Sequence, residues 1–403
     1  MNLKRIAVIG AGVGWLAVQA APAAAIPAFA RKYRVSCTLC HSAPPKLNEF
    51  GENFAANGFQ LAPGAAPVDT IDTGDPLLQL TGNLPLAFRM ELYGQLRTGV
   101  PDDATKVDLQ TPWNIKLLSG GGIARNISYY MYFFLGERGE VAGLEDAFVQ
   151  FSDIASTGIS LVVGQFQLSD PLFKRELRLT VEDYQPYRVR VGDARPDLTY
   201  ERGLMASYSP WDGGDIVAAV VNGAGLTAAT DERIFDTDNM KNFAARFSQA
   251  FGPLRVGAFG YIANQETPDA VDEILVWGPD ATLALGTAGE LNAQFLRRTD
   301  DDPFFIGEDV AEKTTVDAAM AELVFWPRGQ TGRLFLTGLF NWISSDEPVI
   351  SLRLGEDELL EKYTYGSAGV HWLLQRNLRL SGEAGWDFEN DGARLTVGVT
   401  AAF

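Results

Sequence analysis

Cys37 and Cys40 are separated by Thr38 and Leu39, and His41 follows the second cysteine directly. Only two cysteines and two histidines occur in the 403 residues, so this run of five holds three of the four. Two thiols one helical turn apart reach the two vinyl groups of a haem, and the histidine that follows projects its imidazole onto the iron. The run therefore predicts one covalent haem c, held through Cys37 and Cys40 with His41 as the proximal ligand. A structural disulfide or redox dithiol would use the same cysteines but would leave His41 without a role. A zinc site would need a fourth ligand, and only the remote His371 or a carboxylate is on hand.

The surrounding residues fit a small haem-packing unit. Pro44-Pro45 ends the attachment turn, and Leu47, Phe50 and Phe54 then fall on one face of a predicted helix. Asn57-Gly58 is a helix stop, and Phe29, Tyr33 and Phe59 add apolar bulk. A segment of roughly 45 residues has little core of its own, so haem or a neighbouring domain must supply apolar surface. No methionine or second histidine lies between Ile26 and Leu80. The iron is then five-coordinate, ligated by Lys46 or Asn48, or completed from further along the chain. This choice tunes the potential.

Lys4 and Arg5 precede an apolar run from Ile6 to about Ala20, and Ala23-Ala24-Ala25 offers a cleavage site. Residues 1–25 read as a signal peptide, because the run is short of the roughly 20 apolar residues of a spanning helix. Export places the chain where c-type attachment occurs. The formal charge of -18 argues against nucleic acid or an anionic surface as partner.

No later stretch is long and apolar enough for a spanning helix, although 46% of residues are hydrophobic and 11% aromatic. A membrane crossing would therefore need a closed barrel. From Leu84 to Leu96, leucine, phenylalanine and methionine alternate with Arg89, Glu91, Tyr93 and Gln95, as in a strand with an apolar outer and a polar inner face. Similar runs recur at 127–135, 144–151, 159–166, 198–208, 216–221, 243–251, 254–262, 316–326, 334–343, 363–373 and 378–388, and a last one ends on Phe403. A terminal phenylalanine on an amphipathic strand resembles the assembly signal of bacterial outer-membrane barrels.

With weaker candidates at 113–118, 187–191 and 350–354, the count comes to about sixteen strands at roughly 20 residues per strand and connection. The fold class is thus mostly β: a transmembrane antiparallel β-barrel at 76–403, preceded by a small α-helical cytochrome segment at 26–75. A soluble β-sandwich or propeller is the competing architecture.

Alternation also ranks candidates for the distal iron ligand. Leu198, Tyr200, Leu204, Ala206 and Tyr208 read as outward, with Arg202 an exception, which leaves Met205 facing inward beside Glu201 and Ser207. His371 is the second inward candidate, whereas Met90 reads as outward. Asp300-Asp301-Asp302 and Asp346-Glu347 are acidic connections able to attract cations. The mixed-charge stretch from Ser169 to Arg178 folds either as a plain connection or into the lumen, where its cations would meet haem propionates.

The residues Pro27-Ala28-Phe29-Ala30-Arg31, Cys37 through His41, Pro45-Lys46-Leu47-Asn48-Glu49-Phe50-Gly51, Phe54 and Asn57-Gly58-Phe59 resemble the N-terminal part of the fused outer-membrane cytochrome-porins of iron-oxidising bacteria. The likeness is at motif level there and architectural over the barrel, and it departs in detail at Gly51-Glu52-Asn53. It implies an outer-membrane conduit that passes electrons through one haem, from extracellular Fe(II) in the best-known members, to a soluble periplasmic cytochrome. Two other readings compete: a porin whose haem segment is a redox-sensitive plug or sensor, and a barrel-anchored haem enzyme if the iron is five-coordinate. With one histidine assigned to iron, no Ser/His/Asp set or phosphate loop supports hydrolytic or nucleotide-dependent activity. Any catalysis is electron transfer. Whether the segment plugs the barrel is left open by the sequence.

Overall fold

The computed structural model describes residues 28–62, 65–99, 105–141, 143–268, 270–307, 312–352 and 359–403, so the signal peptide expected at 1–25 lies outside the described residues. The N-terminal segment holds helices α1 (Ala28–Tyr33) and α2 (Glu49–Ala56) on either side of a single 3-10 turn at Cys37–Leu39. Asn48 caps α2 by accepting from Gly51 N, and Asn57 with the left-handed Gly58 ends it.

A two-residue ladder, β1 (Thr70–Ile71) with β2 (Leu80–Thr81), marks the connecting stretch. Then follow β3 (Leu86–Arg97), β4 (Val107–Ala124), β5 (Ile127–Glu137), β6 (Gly143–Phe151), β7 (Ser160–Gln167), β8 (Arg190–Val191), β9 (Tyr200–Trp211) and β10 (Gly214–Val221). The chain continues through β11 (Asn242–Phe251), β12 (Leu254–Glu266), β13 (Val271–Ala284), β14 (Gly289–Asp300), β15 (Thr314–Phe325) and β16 (Leu334–Ser345). It ends with β17 (Ile350–Ser351), β18 (Lys362–Gln375), β19 (Leu378–Asp387) and β20 (Gly392–Ala402). All from β3 onward except β8 and β17 join in one closed antiparallel barrel of 16 strands.

Closure runs through β20 and β3, with Ala401 opposite Met90. At the seam Phe403 and Phe88 exchange two backbone hydrogen bonds of 2.6 and 2.8 Å, and their rings stack at 5.8 Å. The wall alternates as a barrel in an apolar surround must. Phe243, Ile262, Trp277, Val370 and Val397 are exposed on the outer face, while Glu91, Asn114, Gln150, Asn292, Glu322 and Asn341 are buried inside. Among the described residues no helix is long and apolar enough to cross a membrane.

Two-residue turns occur at one end, as at Arg125-Asn126, Asp212-Gly213 and Gly252-Pro253, where the longest connections between strands span eight residues. The N-terminal segment lies at this end. The other end carries the longer connections, and one of them, residues 168–199, turns inward. Its Leu168, Leu172, Tyr184, Tyr187 and Leu198 pack on Val221, Phe259, Ile274, Val276 and Met320 of the wall. Across the lumen, β8 of this loop pairs with β17.

Two expected strands are corrected by this pairing. Residues 187–191 and 350–354 are not wall strands: their described parts form the inner ladder β8–β17, where apolar alternation serves a second buried sheet. Two real strands went unread, β13 and β14. The inserted loop packs on Ile274, Val276 and Leu296 of the inner face, so these positions are apolar and the period of two is erased. The count of sixteen survives because two strands lost offset two gained.

Leu198 and Tyr200 are also corrected. Both are buried, Leu198 within the apolar cluster of the inserted loop and Tyr200 through hydrogen bonds to Gln167 and Glu145. The acidic run at 300–302 is likewise engaged: Asp300 pairs with Arg298 and Asp301 with Lys313, while Asp302 accepts from the backbone of Ile306 and Gly307.

Candidate functional site

The attachment run folds into one helical turn. Ser36 caps it by accepting from Thr38 N, and His41 N bonds Cys37 O at 2.9 Å, which sets the histidine one turn after the first cysteine. The two thiols are free and half-buried, and burial pushes both up from the ordinary thiol value.

His41 is oriented by its own turn. Its Nδ1 stands 2.9 Å from Pro45 O, an oxygen that only accepts, so Nδ1 carries the proton and Nε2 keeps its lone pair. Burial pushes the imidazole below its usual pKa, against the pull of the Pro45 and Lys46 backbone, and so favours the neutral ring. A neutral imidazole with Nδ1 engaged and Nε2 available is the form that ligates a haem iron.

Gly51 allows the close approach of α2, because a Cβ there would overlap Cys40 O. Phe54 is the centre of an aromatic core: Phe29, Tyr33 and Phe59 pack around it at 5.4, 5.5 and 6.0 Å, and Tyr33 donates to Phe59 O. Leu39 and Phe50 remain exposed, apolar surface of the kind that a macrocycle would cover.

Barrel and segment are joined on several sides. Phe59 stacks on Tyr130 of β5 at 5.1 Å, and Tyr130 meets Phe148 of β6 in a tilted contact at 5.5 Å. Gln150 donates to Ala56 O, and Arg379 donates to Pro44 O. Ala43 is buried among Val324, Trp326, Phe335 and Leu373 of the wall and Leu179 of the inserted loop. Glu52 pairs with Lys174 of that loop. The segment is thus seated in the barrel mouth, in contact with the loop that fills the lumen.

Lys46 enters this interior and pairs with Glu290 at 2.9 Å and Glu322 at 3.3 Å. Burial alone would lower its pKa, but the two carboxylates hold it above the ordinary lysine value. Asn48 spends its side-chain oxygen on Gly51 N. Both residues read from sequence as sixth-ligand candidates are therefore engaged elsewhere.

Met205 and His371, the other two candidates, each have partners of their own on the barrel wall. Met205 is on the inner side of β9 and packs on the apolar cluster with Leu168 and Ala219. His371 is buried on β18 with both nitrogens bonded to hydroxyls, Nε2 to Thr337 at 3.0 Å and Nδ1 to Ser381 at 2.9 Å. Among the described residues no group of three or more His, Cys, Asp or Glu side chains is arranged to hold a metal ion.

The stretch from Ser169 to Arg178 turns into the lumen, the second of its two sequence readings. Lys174 reaches Glu52, and Arg175, Arg178 and Arg188 surround Asp183. Burial would raise that carboxyl, but the three guanidinium groups hold it well below the usual range. Sequence reasoning missed Glu322, Tyr184 and Arg379, which join the segment to the barrel. Polar residues at inward strand positions were the available signal.

Among solved structures the chain is similar to the anion-selective porin from Comamonas acidovorans, with a TM-score of 0.58 and 10% identity, covering 80% of this chain and 99% of that one. The chain folds as a porin. The outer membrane channel DcaP of Acinetobacter baumannii gives a TM-score of 0.53 at 11% identity, with 79% of this chain and 96% of that one covered. Salmonella typhi OmpF, in a complex with daunomycin, gives 0.54 at 10% identity, with 79% and 97% covered. No protein-family model matches the sequence, and no curated protein matches it. At such identity the porin likeness is one of fold.

Proposed function

We propose that the chain is an outer-membrane electron conduit carrying one haem c on Cys37 and Cys40, with His41 as the proximal ligand. The observation that carries this reading is the His41 imidazole, held through Nδ1 by Pro45 with Nε2 left available, in an attachment turn seated in the mouth of a porin-fold barrel. The outer-membrane location is supported by the porin fold and by the exposed apolar outer face. Short turns face the periplasm in such barrels and longer loops face outward, which supports a periplasmic position for the segment and a soluble cytochrome as its partner.

When bound, the haem would supply a one-electron carrier. The chain's own residues do the rest. Pro45 fixes the imidazole, Gly51 lets α2 close on the turn, and the Phe29–Phe54–Phe59 core with Tyr130 keeps water from one side of it. The apolar contacts of loop 168–199 with the wall make the lumen a packed interior, which suits electron passage better than solute flow.

Two measurements test the proposal. Haem staining after denaturing electrophoresis must follow the wild-type chain and vanish in Cys37→Ser/Cys40→Ser; an unstained wild type ends the haem reading. Stopped-flow mixing of the oxidised protein with ferrous iron then asks for the donor. Rapid sharpening of the haem bands supports Fe(II), whereas reduction by dithionite alone moves the donor elsewhere.

A second reading, a porin gated by its segment, is favoured by the polar joints at Lys46, Arg379 and Gln150. It predicts solute conductance that rises strongly when residues 26–75 are removed. Equal conductance with and without them would exclude a plug.

A further inference from the structure

Just inside the seated segment, three arginines converge from different elements: Arg89 on β3, Arg379 on β19 and Arg178 on the inserted loop. All three lie in electrostatic reach of the Tyr93 hydroxyl. In each, Nε is buried and has no hydrogen-bond partner among the described residues.

Arg379 is the least compensated of them. It is 5% exposed, and its terminal nitrogens donate to two neutral acceptors, Pro44 O at 3.1 Å and Thr400 Oγ1 at 3.3 Å. Among the described residues no carboxylate pairs with it. Glu91 and Glu383 are in electrostatic reach of it but form no ion pair with it. Glu91 takes Arg89 and Asn114, Glu176 takes Lys116 and Tyr132, and Asp183 takes Arg175, Arg178 and Arg188. Glu383 accepts from Val181 N through Oε2, while its Oε1 has no hydrogen-bond partner among the described residues and lies 3.9 Å from Arg394. The buried Thr396 hydroxyl on β20 is a further orphan.

A buried guanidinium without a counter-charge is costly, and the Nε–Nη edge of arginine fits an oxyanion through two parallel hydrogen bonds. We propose that Arg89, Arg178 and Arg379 form an oxyanion-binding site between the segment and the inserted loop, for a carboxylate or phosphate group. A single anion there receives the three free Nε–H groups and supplies the charge that Arg379 lacks. Through Pro44 the same arginine touches the turn that holds His41, so occupancy also steadies the seated segment.

Two sources provide such a group: a propionate of the haem, which rests on the reading above, and a free anion, which does not. The test is calorimetric titration of the full-length barrel with inorganic phosphate, on the haem-loaded protein and on haem-free Cys37→Ser/Cys40→Ser. The haem-free form is expected to bind one phosphate per chain, with affinity falling at least about tenfold in Arg379→Gln and in Arg178→Gln. Arg178 is on the loop, so its variant keeps the test open if Arg379→Gln fails to form a heat-modifiable barrel. Equal binding by the loaded form assigns the site to a free anion; loss of phosphate binding on loading assigns it to a propionate. If the wild type never carries haem, the free-anion arm still stands. No binding in the haem-free form, or binding untouched by both substitutions in folded barrels, overturns the site.

Discussion

Lys46 Nζ of the N-terminal segment meets Glu322 Oε2 of β15 at 3.3 Å, across 276 positions of sequence. Glu322 is 1% exposed, and it also accepts from Tyr184 of the inserted loop at 2.7 Å and from Asn292 of β14 at 3.2 Å. Segment, loop and wall thus share one carboxylate. The segment is thereby docked at a defined height in the barrel.

Replacing Lys46 by Met leaves Glu322 buried with only neutral donors. Removing one partner of a buried pair costs about 3–5 kcal/mol, so the segment should open far more often while the barrel stays intact. Hydrogen exchange by mass spectrometry is the readout. Faster exchange confined to residues 28–62 is the expected result, and unchanged exchange would remove Lys46 from the docking.

Gly51→Ala pushes a methyl group into Cys40 O. The attachment turn and α2 must separate, and covalent haem per chain should fall several-fold with the barrel unaffected. Haem stain normalised to protein measures it. Full loading would show that the approach of α2 is dispensable.

The Asp183 carboxyl is held below its ordinary range by arginines, so its contribution to loop docking is full above the unfolded value of about 3.9. That contribution drains away as the pH falls from there through the lower folded value. Loop 168–199 should therefore stay docked through mild acid and loosen only in strong acid. Asp183→Asn should loosen it already at neutral pH, seen as added conductance in planar bilayers. A variant as tight as the wild type at neutral pH would refute this.

Deleting Phe403 removes the stack on Phe88 and the two backbone bonds at the seam. Assembly into heat-modifiable barrel should slow markedly, with more protein held back in the periplasm. Wild-type assembly kinetics would show that the seam closes without its last residue.

Much of this was legible in the sequence. Wall strands such as 127–137 and 334–345 announce themselves because one face meets an apolar surround and the other a polar one. The rule fails where the interior is itself apolar. Ile274 and Val276 face a loop rather than water, so β13 carries no alternation, while the inner ladder β8–β17 mimics wall strands. At the site, Cys37, Cys40 and His41 are read from adjacency alone. The partners of Lys46 and Pro44 are not, since Glu322 and Arg379 come into range only through barrel closure.

Those long-range joints also impose an order in time. The segment leaves the biosynthetic machinery early, yet the side chains that receive it, Glu290, Glu322 and Arg379, belong to the last third of the chain. Contacts so distant in sequence form late, after the loops they close have paid their entropy. The segment must therefore wait, tethered and undocked, until β14 to β19 have taken their places. That interval is when its cysteines are most open to modification, and on the haem reading proposed above it is the time in which a haem would have to be attached.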